Sequence, residues 1–133
     1  MIPVDQEPGG CWVACLASIT GIALEEFPKP PADDGSGGWG TEAGCDYHNG
    51  AMKTLHRHGW TVTDLGTRVP IEGYAVASGP SPRHVGGKVW HAVVWKDGEY
   101  LFDPHPSRAM LGGAEPEWFE LVVRIRPFEK AAA

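Results

Sequence analysis

The stretch Gln6-Glu7-Pro8-Gly9-Gly10-Cys11-Trp12-Val13-Ala14-Cys15-Leu16 decides the fold that the sequence predicts. A Pro-Gly-Gly turn ends an extended arm, and Cys11 opens an apolar run that predicts a helix to about Thr20. The N-terminus of a helix offers backbone N–H groups and the positive end of the helix dipole, which both stabilise a thiolate. We therefore expect a reactive Cys11 thiol with a depressed pKa, and an amide at Gln6 that can donate a hydrogen bond to an oxyanion.

A second stretch supplies a base and an acid for this thiol. Two predicted strands flank Lys96-Asp97-Gly98, and Asp-Gly is a strong hairpin signal. Counting outward from this loop, Trp95 should face Glu99 and His91 should face Asp103, so the last two side chains should be neighbours. A nucleophile, a base and an orienting acid in this chain order predict a thiol hydrolase. Each of the three residues taken singly is more often structural, and the prediction depends on their combination.

The order of the elements indicates the fold class. After the first helix, the pattern predicts a second helix from Thr41 to about His58 and then only strands, at 60–65, 74–78, 90–95, 99–102 and 118–126. Helices followed by an antiparallel sheet predict an α+β architecture of two layers, with the helix of the cysteine packed on the sheet of the histidine and the aspartate. A length of 133 residues suits one compact domain over 1–133. The loop 29–40 is open to interpretation as a lid, a partner surface or a linker.

Composition excludes several classes of function. The net charge of −6 and the absence of a basic stripe argue against a nucleic-acid partner. No apolar stretch approaches the length of a membrane span or carries a signal-peptide pattern, which predicts a cytoplasmic protein without a membrane partner. The odd set Cys11, Cys15 and Cys45 predicts free thiols, and its spacing fits no usual zinc site, so neither a metal nor another cofactor is expected.

Two motifs resemble the bacteriocin-processing, double-glycine-type peptidases of the papain-like superfamily. Those enzymes have a glutamine a few residues before the nucleophile and an Ala-Cys-Leu one turn later, as in residues 6–16 here, and a His-x-Val-Val strand followed by Asp-Pro, as at His91 and Asp103. The Cys11-Trp12 pair is more similar to papain itself. The ending Asp103 to Ser107 resembles short uncharacterised proteins of bacteria and their phages.

The resemblance implies a papain-like fold with Cys11 as nucleophile, His91 as general base and acid, Asp103 as orienting acid and Gln6 as oxyanion donor. The favoured activity is cleavage of a peptide or isopeptide bond in a peptide or protein substrate. Two alternatives remain: an amidase, deamidase or acyltransferase that uses the same residues, or a binding module on a papain-like scaffold. The sequence leaves the oligomeric state open.

Four further residues are candidates for substrate contact. Trp12 and Trp90 flank the predicted site and either line a cleft or fill the core. Ser81 belongs to a Gly-Pro-Ser-Pro turn that precedes the histidine strand and would lie near the mouth of a cleft. His105 lies in a rigid Asp-Pro-His-Pro segment and is a candidate substrate contact or alternative base.

Overall fold

The computed structural model describes residues 1–31, 40–83, 89–112 and 115–128, so most of the loop at 29–40 lies outside the described residues. Within these ranges the chain forms two α-helices, one 3-10 turn and five strands. In chain order they are α1 (Cys11–Thr20), the 3-10 turn (Leu24–Glu26), α2 (Glu42–Arg57), β1 (Trp60–Gly66), β2 (Tyr74–Pro80), β3 (Trp90–Lys96), β4 (Glu99–Phe102) and β5 (Trp118–Arg124).

The strands make one antiparallel sheet in the order β1-β5-β2-β3-β4. The predicted α+β class, with helices first and an antiparallel sheet second, is therefore confirmed. The last strand ends at Arg124, two residues before the predicted end. None of the helices in the described part of the chain is both long enough and apolar enough to cross a bilayer.

Helix α1 is the most buried element of the chain. It begins after Gly10, whose N–H donates to the Glu7 carbonyl at 2.8 Å, and residues 12–19 are all buried. Gly21 ends it in the left-handed conformation, with φ of 76°, and its N–H donates back into the last helical turn. This positive φ is the reason that a glycine suits the position. The turn before Cys11 thus sets where the helix begins, and it places the thiol on the first helical residue.

Helix α2 is capped by Thr41, whose hydroxyl accepts from the Gly44 N–H at 3.1 Å. The helix continues through Gly50 without a break. Within α2, Leu55 is fully buried and Met52 is half-buried, whereas Ala43 is exposed. One face of α2 therefore packs towards β1 while the other meets solvent.

Strand β3 is buried on both faces of the sheet. Its Ala92 and Val94 belong to the main core, which joins α1 and α2 to the helix side of the sheet. Its Val93 and Trp95 belong to a second apolar cluster on the other face, together with Phe119. This double burial explains why the strand is a continuous apolar run rather than an alternating one. It also fixes β3 as a rigid support for His91 at its start.

The hairpin of β3 and β4 has a different register from the predicted one. Asp97 and Gly98 both have positive φ, 51° and 84°, so the loop is a two-residue turn and Lys96 pairs with Glu99. Trp95 then pairs with Tyr100, and the prediction that Trp95 faces Glu99 is wrong. A register shift follows between Val94 and Trp95, which inserts one extra residue on β4.

Candidate functional site

His91 and Asp103 form a buried pair at the edge of the sheet. The His91 side chain is 3% exposed and the Asp103 side chain is fully buried, and His91 Nε2 lies 2.6 Å from Asp103 Oδ1. The two side chains meet although the register that predicted their meeting is wrong. The bulge shifts the register of β4, and the Asp103 carboxylate reaches the ring from the segment between β4 and the bend at His105.

Asp103 is held as a carboxylate by three donors. Besides the His91 ring, the N–H of His105 donates to Oδ1 at 2.9 Å and the N–H of Met110 donates to Oδ2 at 2.7 Å. Burial alone would raise the pKa of Asp103, but these hydrogen bonds and the charge of His91 lower the pKa below its ordinary value. A negative charge is therefore present beside His91 at neutral pH.

The tautomer of His91 follows from this partner. An ionised carboxylate only accepts hydrogen bonds, so Nε2 of His91 carries the proton and Nδ1 of the neutral ring is unprotonated. Burial lowers the pKa of His91; the hydrogen bond and charge of Asp103 oppose this shift, while the charges of Arg83 and His105 add to it. The net direction keeps the ring neutral at pH 7 with Nδ1 available as a base.

Cys11 is the first residue of α1 and lies against the start of β3. The backbone N–H groups of Ala92, Trp12 and Cys11 itself lie close enough to the thiol to lower its pKa. Ala92 directly follows His91, so the thiol meets the sheet one residue from the imidazole. The thiol also lies within electrostatic range of the Asp103 carboxylate.

The expected depression of the Cys11 pKa is not what this environment produces. Burial raises the pKa of the thiol, and the three nearby backbone N–H groups, which lower it, do not cancel that effect. The negative charge of Asp103 raises the pKa further. The prediction of a thiolate rested on the helix terminus and on the pairing of Cys11 with His91, and the sequence could not reveal that the helix terminus is buried against the sheet. The resting site holds a neutral thiol near a neutral imidazole.

Gln6 is tied to the same loop as Asp103. Its backbone N–H donates to the Pro104 carbonyl at 2.9 Å, and this bond joins the N-terminal arm to the segment after β4. The side-chain Nε2 donates to the Glu7 carbonyl at 3.5 Å, a long and weak bond. Its Oε1 is buried and has no hydrogen-bond partner among the described residues. The amide is thus held near the start of α1 by its backbone and only weakly by its side chain.

Tyr47 is a polar residue near the site that the sequence analysis did not single out. Its hydroxyl is buried and has no partner among the described residues. Burial raises the pKa of Tyr47, and negative charge at Cys11 and Glu7 raises it further, so the hydroxyl keeps its proton. The ring packs edge-on against Trp12 at 6.2 Å. Nothing in the sequence separates this tyrosine from an ordinary helix-surface residue; only the packing of α2 brings it here.

The four candidate substrate contacts have different surroundings. Trp12 is 6% exposed, donates from Nε1 to Glu120 at 3.0 Å and stacks on His48 at 5.2 Å, so it fills the core. Trp90 is 49% exposed at the start of β3.

Ser81 is buried, and its hydroxyl accepts from the Arg83 N–H at 3.3 Å. His105 is half-buried, and its ring meets the His91 ring edge-on at 6.2 Å. Of the four predicted contacts, His105 is the one whose ring contacts the ring of His91.

A cavity of about 210 Å³ lies on the flank of α1 rather than at the thiol. Gly10 and Val13 line it together with residues of the segment that follows the helix, among them Phe27. A helix turns about 100° per residue, so the Cys11 side chain points well away from the direction of Gly10 and Val13. The cavity is adjacent to the helix terminus, but the thiol is not part of its wall.

The chain was compared with protein-family models, curated proteins and solved structures, and no match was found in any of the three. In the described ranges, no group of three or more His, Cys, Asp or Glu side chains is arranged to hold a metal ion. The chemistry of this site is therefore inferred from its own residues.

Proposed function

We propose that this chain is a thiol hydrolase on a papain-like α+β scaffold, with Cys11 as nucleophile and a peptide or isopeptide bond as target. The observation that carries the proposal is the buried His91–Asp103 pair. Its hydrogen bond of 2.6 Å fixes the proton on Nε2 and leaves Nδ1 as a base, one residue from the N–H that contacts the thiol. A nucleophile, a base and a residue that orients the base are the parts that covalent catalysis requires.

The mechanism starts from the neutral pair. The Cys11 sulfur attacks the carbonyl carbon while its proton passes to Nδ1 of His91, and the Asp103 carboxylate stabilises the imidazolium that forms. The amide of Gln6 and the N–H groups at the start of α1 donate to the tetrahedral oxyanion. His91 then gives the proton to the leaving amine, which leaves a thioester on Cys11. Water, deprotonated by His91, hydrolyses the thioester and restores the thiol.

The raised pKa of Cys11 changes how this nucleophile works. A preformed thiolate would react quickly without help, whereas a half-buried neutral thiol needs its proton removed during the attack. His91 therefore contributes to the attack itself and not only to the charge of the resting site. Such a thiol is protected from adventitious oxidation until a substrate carbonyl is in position.

The test is the rate of Cys11 alkylation by iodoacetamide at pH 7, followed by peptide mass spectrometry, in the wild type and in His91→Ala. We expect the replacement to slow alkylation of Cys11 by about 100-fold or more, the usual contribution of a general base. Cys45 is exposed on α2 and provides an internal reference, because its rate should not change. His56→Ala, at an exposed histidine of the same helix, is the matched control variant.

A peptide-hydrolysis screen then tests turnover directly. Fluorogenic peptides of varied sequence are incubated with the wild type, Cys11→Ala and Cys45→Ala, and only the first replacement should abolish cleavage. If His91→Ala leaves the Cys11 alkylation rate unchanged, the base is absent and the hydrolase proposal fails. A partner-binding role for the scaffold would then be the better explanation.

A further inference from the structure

Arg83, Ser107 and His105 form a hydrogen-bonded cluster beside His91. Arg83 Nη1 donates to Ser107 Oγ at 3.1 Å, and Ser107 Oγ lies 2.8 Å from His105 Nδ1. The ring of His105 in turn meets the ring of His91 at 6.2 Å. Positions 24 residues apart in the sequence are thereby joined through one hydroxyl.

The direction of these bonds leaves donors free. The backbone N–H of Ser107 donates to His105 Nδ1 at 3.0 Å, so Nδ1 is an acceptor and the proton of the neutral ring is on Nε2. The Ser107 hydroxyl donates to that same Nδ1 and accepts from Arg83. Only one of the five guanidinium N–H groups is used in this cluster. The outer edge of the cluster therefore presents N–H donors from Arg83 and His105.

The charge of the cluster has no counterpart within the described residues. The ion pairs of the described chain are Lys29–Glu7, His58–Glu26, His91–Asp103 and Arg108–Asp5, and none involves Arg83. Most other exposed Lys and Arg side chains of the described residues also lack a carboxylate partner; Arg83 differs from them because its guanidinium is hydrogen-bonded to Ser107, in the cluster beside His91. Its charge reaches the reacting centre: burial lowers the pKa of His91, the hydrogen bond and charge of Asp103 raise it, and the charge of Arg83 lowers it.

We propose that Arg83, Ser107 and His105 form an anion subsite that selects substrates with a free carboxylate next to the bond attacked by Cys11. The inference rests on the proposed function for the identity of the bond, but the subsite itself does not require turnover. A guanidinium fork and a ring N–H match the planar geometry of a carboxylate. The carboxylate belongs either to the end of a peptide chain or to an acidic side chain, because both present the same group.

The test uses two reagents of nearly equal size, iodoacetate and iodoacetamide, that differ in charge. The ratio of their rates is measured at Cys11 and at Cys45 in the same protein at pH 7 and low ionic strength. We expect the iodoacetate preference at Cys11 to exceed that at Cys45 by about fivefold, the effect of one partly exposed ion pair. Arg83→Gln should remove that excess, and Arg83→Lys should retain part of it. Arg68→Gln, in the exposed loop after β1, is the matched control.

The source of the carboxylate is resolved by protection of Cys11 from iodoacetamide. N-acetylalanylalanine offers a terminal carboxylate, N-acetylglutamate amide offers a side-chain carboxylate, and N-acetylalanine amide is the neutral reference. The better protector identifies the source, and equal protection by all three compounds would contradict the subsite.

The two proposals fail separately. If alkylation depends on His91 but the iodoacetate preference does not depend on Arg83, the anion subsite is wrong and the hydrolase proposal stands. If the preference depends on Arg83 while His91→Ala changes nothing, the subsite stands without the hydrolase. Absence of any reaction at Cys11 with either reagent overturns both.

Discussion

Replacement of Tyr47 by phenylalanine should make the protein more stable and its thiol less reactive. The hydroxyl of Tyr47 is buried without a hydrogen-bond partner among the described residues, and the aromatic ring contacts Trp12. A buried unpaired hydroxyl costs about 1–3 kcal/mol of stability. Because the Tyr47 side chain is only half-buried, we expect Tyr47→Phe to raise the free energy of unfolding by about 1 kcal/mol, at the low end of that range.

The effect on reactivity has the opposite sign. The Tyr47 hydroxyl lies within electrostatic range of the Cys11 thiol and keeps its proton, so its O–H dipole can stabilise negative charge that develops on the sulfur. Loss of this donor should slow alkylation of Cys11 roughly tenfold, which corresponds to one pKa unit of stabilisation of the thiolate. An unsatisfied donor in a native structure is a recognised place for such a trade between stability and function.

Urea unfolding measures the first effect and iodoacetamide alkylation at pH 7 measures the second. Tyr100→Phe is the matched control, because Tyr100 is exposed on β4 and should change neither quantity by much. A destabilised Tyr47→Phe would mean that the hydroxyl is satisfied by a partner in solution. A stabilised variant with an unchanged alkylation rate would mean that the hydroxyl does not serve the thiol. Either result would refute the reasoning.

Two further predictions concern the loop that holds the acid. The fold lowers the pKa of Asp103, so the charge of this carboxylate stabilises the folded protein at pH values above its unfolded pKa of about 3.9. This stabilisation is lost as the pH falls through the lower pKa of the folded state. Asp103→Asn leaves one backbone donor unpaired and should lower the free energy of unfolding by about 2–4 kcal/mol at pH 7. Urea unfolding should show that the difference in stability from wild type shrinks near pH 3. A difference that does not change with pH would contradict this prediction. Arg108 bridges Asp5 at 2.6 Å and the carbonyls of Asp103 and His105 at 2.8 and 3.0 Å. We expect Arg108→Gln to slow Cys11 alkylation about tenfold, because Asp103 is then less well positioned. The free energy of unfolding should change by under about 1 kcal/mol, as for exposed ion pairs. An unchanged alkylation rate would show that the bridge is not needed.

Much of the fold could be predicted because its signals are local. The Pro-Gly-Gly turn and Gly21 bracket α1, and the predicted and observed helix coincide at Cys11–Thr20. The Asp97-Gly98 pair predicts the hairpin, since few dipeptides adopt positive φ twice in succession. The register of that hairpin could not be predicted, because the bulge beyond it depends on how Phe102 packs into the main core.

The candidate site likewise has features that the sequence predicts and features that it does not. Cys11, His91 and Asp103 were singled out from residue type, neighbours and chain order, which are properties of the sequence. The predicted direction of the Cys11 pKa shift was wrong, because a helix terminus by itself stabilises a thiolate while its burial against β3 does the reverse. Arg83, Ser107, Arg108 and Tyr47 give no signal in the sequence, since their importance depends on partners far along the chain.

The sequence by itself thus determined the order and approximate positions of the helices and strands and which side chains carry reactive groups, because turns, caps and apolar periodicity act over a few residues. Only the tertiary structure decided which groups share a hydrogen bond and which are withdrawn from water. The Trp12–Glu120 bond spans 108 positions and the Arg108–Asp5 bridge spans 103. Contacts at such separations form only when the sheet order β1-β5-β2-β3-β4 has brought the strands together. The balance of burial and hydrogen bonding at Cys11 and His91 is set by that packing, and it determines the protonation of the site.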